Sequence, residues 1–141
     1  GEVQVDPAIL SRSINPNVVA KAPGMKYRHY APKGQMTIVE GETDKVIGEI
    51  NRLCQEKTAG GSSVAVIATE ETKAYYTCDH VRSIGSRSTE GSIAAGLYDI
   101  LREMDHIGAE YIFAESFEKD ALGKAIMNRM LKAAAYHVIN V

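Results

Sequence analysis

The stretch Val64–Ala68, VAVIA, is five apolar residues in a row, bounded by Gly60-Gly61-Ser62 before it and Thr69-Glu70-Glu71 after it. Five residues is strand length and well short of a helix. The absence of any polar alternation means that both faces of the strand are covered. A strand of this kind sits in the middle of a parallel sheet with helices on either side. Outward from it, the chain alternates short apolar runs with amphipathic segments. Upstream, Met36–Glu40 (MTIVE) is a short strand, and Val46, Ile47, Ile50, Leu53 and Cys54 then recur at helical spacing on one face. Thr43 is placed to cap that helix and Asp44 suits its first turn; the helix ends near Lys57.

Downstream, Glu70–Cys78 reads as a weaker helix whose apolar content is Tyr75 and Tyr76, and His80–Gly85 (HVRSIG) as a weaker strand. A clear helix follows, capped by Ser88 or Thr89, with Ile93, Leu97, Ile100, Leu101 and Met104 as its stripe and Gly108 at the C-terminal glycine position. Tyr111–Ser116 (YIFAES) is the next strand. The last helix spans about Lys119 to Ala134, with Leu122, Ile126 and Met130 four residues apart, and HVINV closes the chain as a strand. About five strands and four helices in alternation give a three-layer, doubly wound α/β domain, Rossmann-like or flavodoxin-like, with a mainly parallel sheet.

Residues 1–34 differ. All four prolines, Pro7, Pro16, Pro23 and Pro32, lie there, and no amphipathic period is present. The boundaries are accordingly an interdomain linker at 1–34 and the α/β domain at 35–141. Ala22-Pro23 and Ala31-Pro32 bracket a stretch that proline holds extended, whereas a merely flexible connector would use Gly and Ser. Between Asp6 and Glu40 there is no acidic residue, while Arg12, Lys21, Lys26, Arg28 and Lys33 make that stretch basic within a chain of net charge −2. Lys26, Tyr27, Arg28, His29 and Tyr30 crowd cationic and aromatic groups between two prolines, a combination suited to stacking on a base and pairing with phosphates or carboxylates.

The composition, 45% hydrophobic and 24% charged over 141 residues, is that of one ordinary globular domain. Cys54 and Cys78 stand in no metal or redox spacing and read as reduced thiols, and His29, His80, His106 and His137 show no metal-ligand pattern. No apolar run reaches the ~20 residues of a membrane span and the first residues lack a signal-peptide pattern, so a cytoplasmic location with no membrane partner is expected. GxSxG is absent, and Glu110 and Glu115 flank an apolar strand with nothing to make them share a proton. Catalytic residues and metal ligands are therefore not expected in this chain. Ligands of such folds bind beyond the C-terminal strand ends. The loops there are Gly41-Glu42-Thr43, Thr69-Glu70-Glu71, Gly85-Ser86-Arg87-Ser88 and Glu115-Ser116-Phe117, of which Gly85-Ser86-Arg87-Ser88 is the candidate phosphate loop, since glycine, hydroxyls and an arginine precede a helix. It is neither GxGxxG nor a Walker loop, and small polar residues at a helix start also serve as caps.

The segment PGMKYRHYAP, residues 23–32, resembles the linker signature of the two-domain threonylcarbamoyl-AMP synthases. GEVQVDPAIL resembles the exit from that family's catalytic domain, SIGSRSTEGSIAAGLYDILREMD its third-helix region, and LGKAIMNRMLKAA its final helix. Family members often carry serine where this chain has Ala22. The resemblance implies a Rossmann-like C-terminal accessory domain with its linker, separated from a YrdC-like catalytic domain. It further implies a parent nucleotidyltransferase that makes threonylcarbamoyl-AMP from ATP, L-threonine and bicarbonate, with Mg²⁺, for tRNA modification. ATP and threonine would be met through the catalytic domain, and this chain alone would hold no cofactor and be inactive. Lys26, Tyr27, Arg28, His29 and Tyr30 would then form a lid over the catalytic pocket. A nucleotide- or tRNA-binding module without catalysis is the alternative.

Overall fold

A computed structural model describes residues 31–117 and 121–141. The strands are β1 (Gln35–Glu40), β2 (Val64–Ala68), β3 (His80–Ser83), β4 (Tyr111–Glu115) and β5 (Val138–Asn140); the helices are α1 (Thr43–Ala59), α2 (Glu90–Ile107) and α3 (Ala121–Ala133). All five strands pair in parallel in the order β3-β2-β4-β1-β5. The doubly wound three-layer expectation holds. β2 is buried at every one of its five residues, as its unbroken apolar run requires.

Alternation along each strand sorts the core into two halves. Val39, Val64, Val66 and Phe113 face α1, where they cluster with its buried residues Val46, Ile50, Leu53 and Cys54. Ile38, Ile67 and Ile112 have the opposite parity and fill the other face, with Ile93, Leu97 and Met104 of α2 and Ile126 and Met130 of α3 also buried. α2 and α3 pack against each other. Each large apolar side chain removed from water in this way contributes about 1.5–3 kcal/mol before the entropy of ordering is set against it.

Two local expectations are corrected. Glu70–Cys78 is not a helix but a loop with a single 3-10 turn at Lys73–Tyr75, so the helices number three among the described residues. Side chains hold it out of the helix. The Thr72 hydroxyl is engaged with Thr69 and Glu115, the Tyr76 hydroxyl donates to Glu115, and the Thr77 N–H donates to the Asn51 side chain. Serine, threonine and asparagine compete with helical bonding in this way. Thr43 is the first residue of α1 rather than its cap; Glu42 holds the cap position, without a side-chain capping bond. Thr89 does hold the cap position of α2, without a side-chain capping bond, and Gly108 ends that helix in the left-handed conformation, φ 80°. Residues 1–30 of the linker assigned to 1–34, and the start assigned to the last helix, near Lys119, lie outside the described residues.

Candidate site at the strand switch point

From β1 the chain travels through α1 toward β2 on one side, and from the adjacent β4 it travels through α3 toward β5 on the other. Right-handed crossovers send these two connections to opposite faces, and a crevice is left between the C-terminal ends of β1 and β4. A cleft of about 480 Å³ occupies it. Glu40, Gly41 and Thr43 form one wall, Glu115, Ser116 and Phe117 the other, and Arg87 reaches in from the loop after β3. The volume is that of a small-molecule site.

At the base of this cleft is a buried carboxylate. Glu115 ends β4 with only 3% of its surface exposed. It accepts hydrogen bonds from the Thr72 hydroxyl at 2.5 Å, the Tyr76 hydroxyl at 2.6 Å, the Thr69 hydroxyl at 3.4 Å and the Arg87 Nη2 at 2.9 Å. The strand alternation that turns Phe113 toward α1 turns Glu115 the same way, into reach of the loop after β2. A lone buried carboxylate would be strongly unfavourable; three hydroxyls and a guanidinium offset its desolvation. Burial, and then the bond to Glu115, push the Tyr76 phenol well above its ordinary range, so the ring stays protonated as a donor. Arg87 Nη2 also donates to the Ser116 carbonyl at 2.8 Å, and its guanidinium lies over the Phe117 ring at 4.6 Å.

The Gly85–Ser88 loop is clamped from inside the molecule. The Ser86 hydroxyl donates to Glu71 Oε2 at 2.6 Å and the Arg87 N–H to Glu71 Oε1 at 3.1 Å. A carboxylate of the chain itself thus occupies the donors that a phosphate would take, and a phosphate bound there would have to displace it. The Ser86 hydroxyl first, and then the Arg87 N–H, hold Glu71 at a pKa of about 2. Its folded value lies below the ordinary ~4.3 of glutamate, so the stabilisation is present above that pH and fades as pH falls toward 2. The Glu71 carboxyl resonance is expected to titrate near 2 by NMR, and Glu71→Gln should flatten the acid limb of the stability profile. A midpoint near 4 would contradict the clamp.

Cys54 on α1 and Cys78 ahead of β3, 24 positions apart in sequence, both line a second hollow of about 400 Å³, and the Cys78 thiol donates to the Val64 carbonyl at 3.3 Å. Both are free thiols. The neighbouring Cys54 thiol, and then the backbone N–H groups of His80 and Asp79, draw the Cys78 thiol below its ordinary range, while the neighbouring Cys78 and then burial move Cys54 up. At pH 7, limited iodoacetamide should alkylate Cys78 before Cys54, and Cys54→Ala should slow Cys78 about fivefold. Equal labelling by peptide mass spectrometry would refute this pairing.

The strand-end loops named from sequence contain Thr69, Arg87 and Glu115, but nothing in the sequence joined them into one network, and Thr72 and Tyr76 were missed. The available signal was a glutamate closing the apolar run YIFA, opposite Val39 across the sheet. Lys26, Tyr27, Arg28, His29 and Tyr30 lie outside the described residues. Among the described residues no group of three or more His, Cys, Asp or Glu is placed to hold a metal, and no helix is long and apolar enough to cross a membrane.

Comparison with known proteins adds identity to this geometry. Residues 4–135 match the family profile of the threonylcarbamoyl-AMP synthase C-terminal domain. Threonylcarbamoyl-AMP synthase of Bacillus subtilis (strain 168) is 42% identical over 139 residues, covering 99% of this chain and 38% of the relative. That of Pyrococcus abyssi is 41% identical over 141 residues, covering 100% of this chain and 39% of the relative. Among solved structures, P. abyssi Sua5 complexed with L-threonine superposes with a TM-score of 0.71 at 40% identity, covering 100% of this chain and 39% of that one. The C-terminal Sua5 domain from Pyrococcus horikoshii gives 0.63 at 33% identity, covering 79% of this chain and 100% of that one. The chain thus spans about two fifths of the length of the curated relatives it matches, and it belongs to the family of threonylcarbamoyl-AMP synthase C-terminal domains.

Proposed function

We propose that this chain is the accessory, regulatory domain of a threonylcarbamoyl-AMP synthase and that its linker closes over the pocket of a YrdC-like catalytic domain. The observation that supports the reading is the extent of the match: it runs from residue 4 to residue 135, so it takes in the cationic linker as well as the α/β body. The whole enzyme would condense ATP, L-threonine and bicarbonate to threonylcarbamoyl-AMP and pyrophosphate in the cytoplasm, feeding the tRNA-modification machinery. Its ATP, threonine and Mg²⁺ would be held by the catalytic domain. The described acidic residues here do not fit a metal site, and no step is assigned to one.

In this reading the α/β body is an anchor and residues 26–30 are the moving part. The product is a mixed anhydride carrying a carbamate, and water destroys it. A strip that closes the pocket raises yield by excluding water. Tyr27 and Arg28 would lie nearest the nucleotide, the ring stacking on the base and the guanidinium pairing with phosphate. Lys26, His29 and Tyr30 would complete the lid. The test is to add this chain to its separately produced catalytic domain and follow pyrophosphate release and threonylcarbamoyl-AMP lifetime. Addition should raise product accumulation severalfold, and Tyr27→Ala with Arg28→Ala should remove the gain. If neither rate nor product lifetime responds to the chain, the lid reading is wrong.

A further inference from the structure

α1 and the loop after β2 meet along one seam. Asn51 donates through Nδ2 to the Tyr75 carbonyl at 3.0 Å, and its Oδ1 accepts the Thr77 N–H at 3.0 Å and the Thr77 hydroxyl at 3.3 Å. Cys54 follows one helical turn further along the same side of α1, and Cys78 follows Thr77 in the loop. The clamp therefore delivers the second thiol to the first. Cys78 packs against the apolar cluster that contains Cys54, and both stand in the wall of the hollow of about 400 Å³, with Thr77 and Asp79 beside them.

The two sulfurs are not equivalent. Cys54 is only 2% exposed and Cys78 is half-buried, so a small reagent entering the hollow meets Cys78 first. Cys78 is held in either protonation state. As a thiol it donates to the Val64 carbonyl at 3.3 Å; as a thiolate it is met by the Cys54 thiol and then by the His80 and Asp79 N–H groups. An accessible sulfur beside a second, shielded thiol is the arrangement of a redox pair. We infer that Cys54 and Cys78 form a hydroperoxide-sensitive dithiol, Cys78 the thiol that is oxidised first and Cys54 the one that resolves it to a disulfide. The Cys78 thiolate attacks one peroxide oxygen, the O–O bond breaks, hydroxide leaves and Cys78 becomes a sulfenic acid. The Cys54 sulfur then attacks the Cys78 sulfur, the S–O bond breaks, and the Cys54 proton departs with the hydroxyl as water. Two thiols lose two electrons and one hydroperoxide gains them. The bond would tie α1 covalently to the segment that carries Tyr76, a donor to Glu115, so the oxidation state of the pair bears on the network at the strand ends. None of this rests on the lid.

The test treats the reduced 141-residue chain with hydrogen peroxide, blocks the remaining thiols with N-ethylmaleimide and maps its peptides without reduction. The Cys54 and Cys78 peptides should appear joined, two hydrogens lighter than the sum of the reduced pair, in monomeric chain, and a reducing agent should separate them. Closing a loop between residues 24 positions apart should raise Tm by roughly 5–10 °C. In Cys54→Ala, Cys78 should stop at a sulfenic acid that dimedone captures. Cys54 in Cys78→Ala should be oxidised at least about tenfold more slowly than Cys78 in Cys54→Ala. The native sequence unfolded in urea should form the bond at least about tenfold more slowly than the folded chain, a comparison that needs no variant to fold. The inference fails if peroxide yields only sulfinic and sulfonic acids or disulfides between chains, if the two single-cysteine variants are oxidised at equal rates, or if the unfolded chain closes the bond as fast as the folded one.

Discussion

Replacing Glu115 with alanine is expected to lower the unfolding free energy by about 4 kcal/mol, the largest effect of any single polar side chain among the described residues. The reason is what the substitution leaves behind. The Tyr76 and Thr72 hydroxyls, each in a residue no more than 7% exposed, lose their acceptor, and Arg87 loses its charge partner. Each buried donor left unsatisfied costs about 1–3 kcal/mol. Arg87 is a third exposed and water can reach it, so its share is the smaller one. Glu115→Gln preserves shape and one acceptor oxygen, and about half of the loss should return. Urea unfolding would read this as a fall in midpoint with little change in slope. A loss below about 1 kcal/mol would mean that these donors find other partners and that the network does not organise the strand-end loops.

The second large effect belongs to a glycine. A Cβ added at Gly34 would stand 2.2 Å from the Ala109 carbonyl oxygen and 3.1 Å from that of Glu110. Both are backbone atoms, so no side chain can swing aside. Gly34 directly precedes β1, whose first residue Gln35 donates its N–H to the Glu110 carbonyl at 2.9 Å. Relief of the clash would prise β1 from β4 at the start of their pairing, Gln35 opposite Tyr111. Gly34→Ala should therefore destabilise by about 3 kcal/mol. Gly48 is the control: it lies exposed in α1 with nothing within 4 Å of an added Cβ, and Gly48→Ala should stabilise by about 0.5–1 kcal/mol through helix propensity. Melting curves of the two variants should move in opposite directions. Similar shifts for both would show that Gly34 is not close to the β4 strand entry.

The elements legible in advance are those whose signal is local and repeated. Val64–Ala68 could only be an interior strand, and the apolar stripe of Ile93, Leu97, Ile100, Leu101 and Met104, ended by Gly108, could only be a helix turned toward a core. Glu70–Cys78 was misread because its composition permits a helix while its partners forbid one. Those partners are Glu115, more than thirty positions away, and Asn51 on a different helix. Element type follows from neighbours in sequence when periodicity is strong, and from neighbours in space when it is weak.

The site divides along the same line. That the strand-end loops, Arg87 among them, would gather beyond the C-terminal ends of the strands followed from alternation of strands and helices alone, and a cleft lies there. The apolar runs and their spacing by themselves determined a doubly wound parallel sheet, because a strand buried on both faces requires helices on both faces. The order β3-β2-β4-β1-β5 was decided only by the tertiary structure, and with it which two strand ends form the crevice. So were the pairing of Arg87 with Glu115 and the meeting of Cys54 with Cys78. Periodicity records which face of an element is buried; it does not record against what, since that depends on crossovers that bring residues tens of positions apart within hydrogen-bond reach.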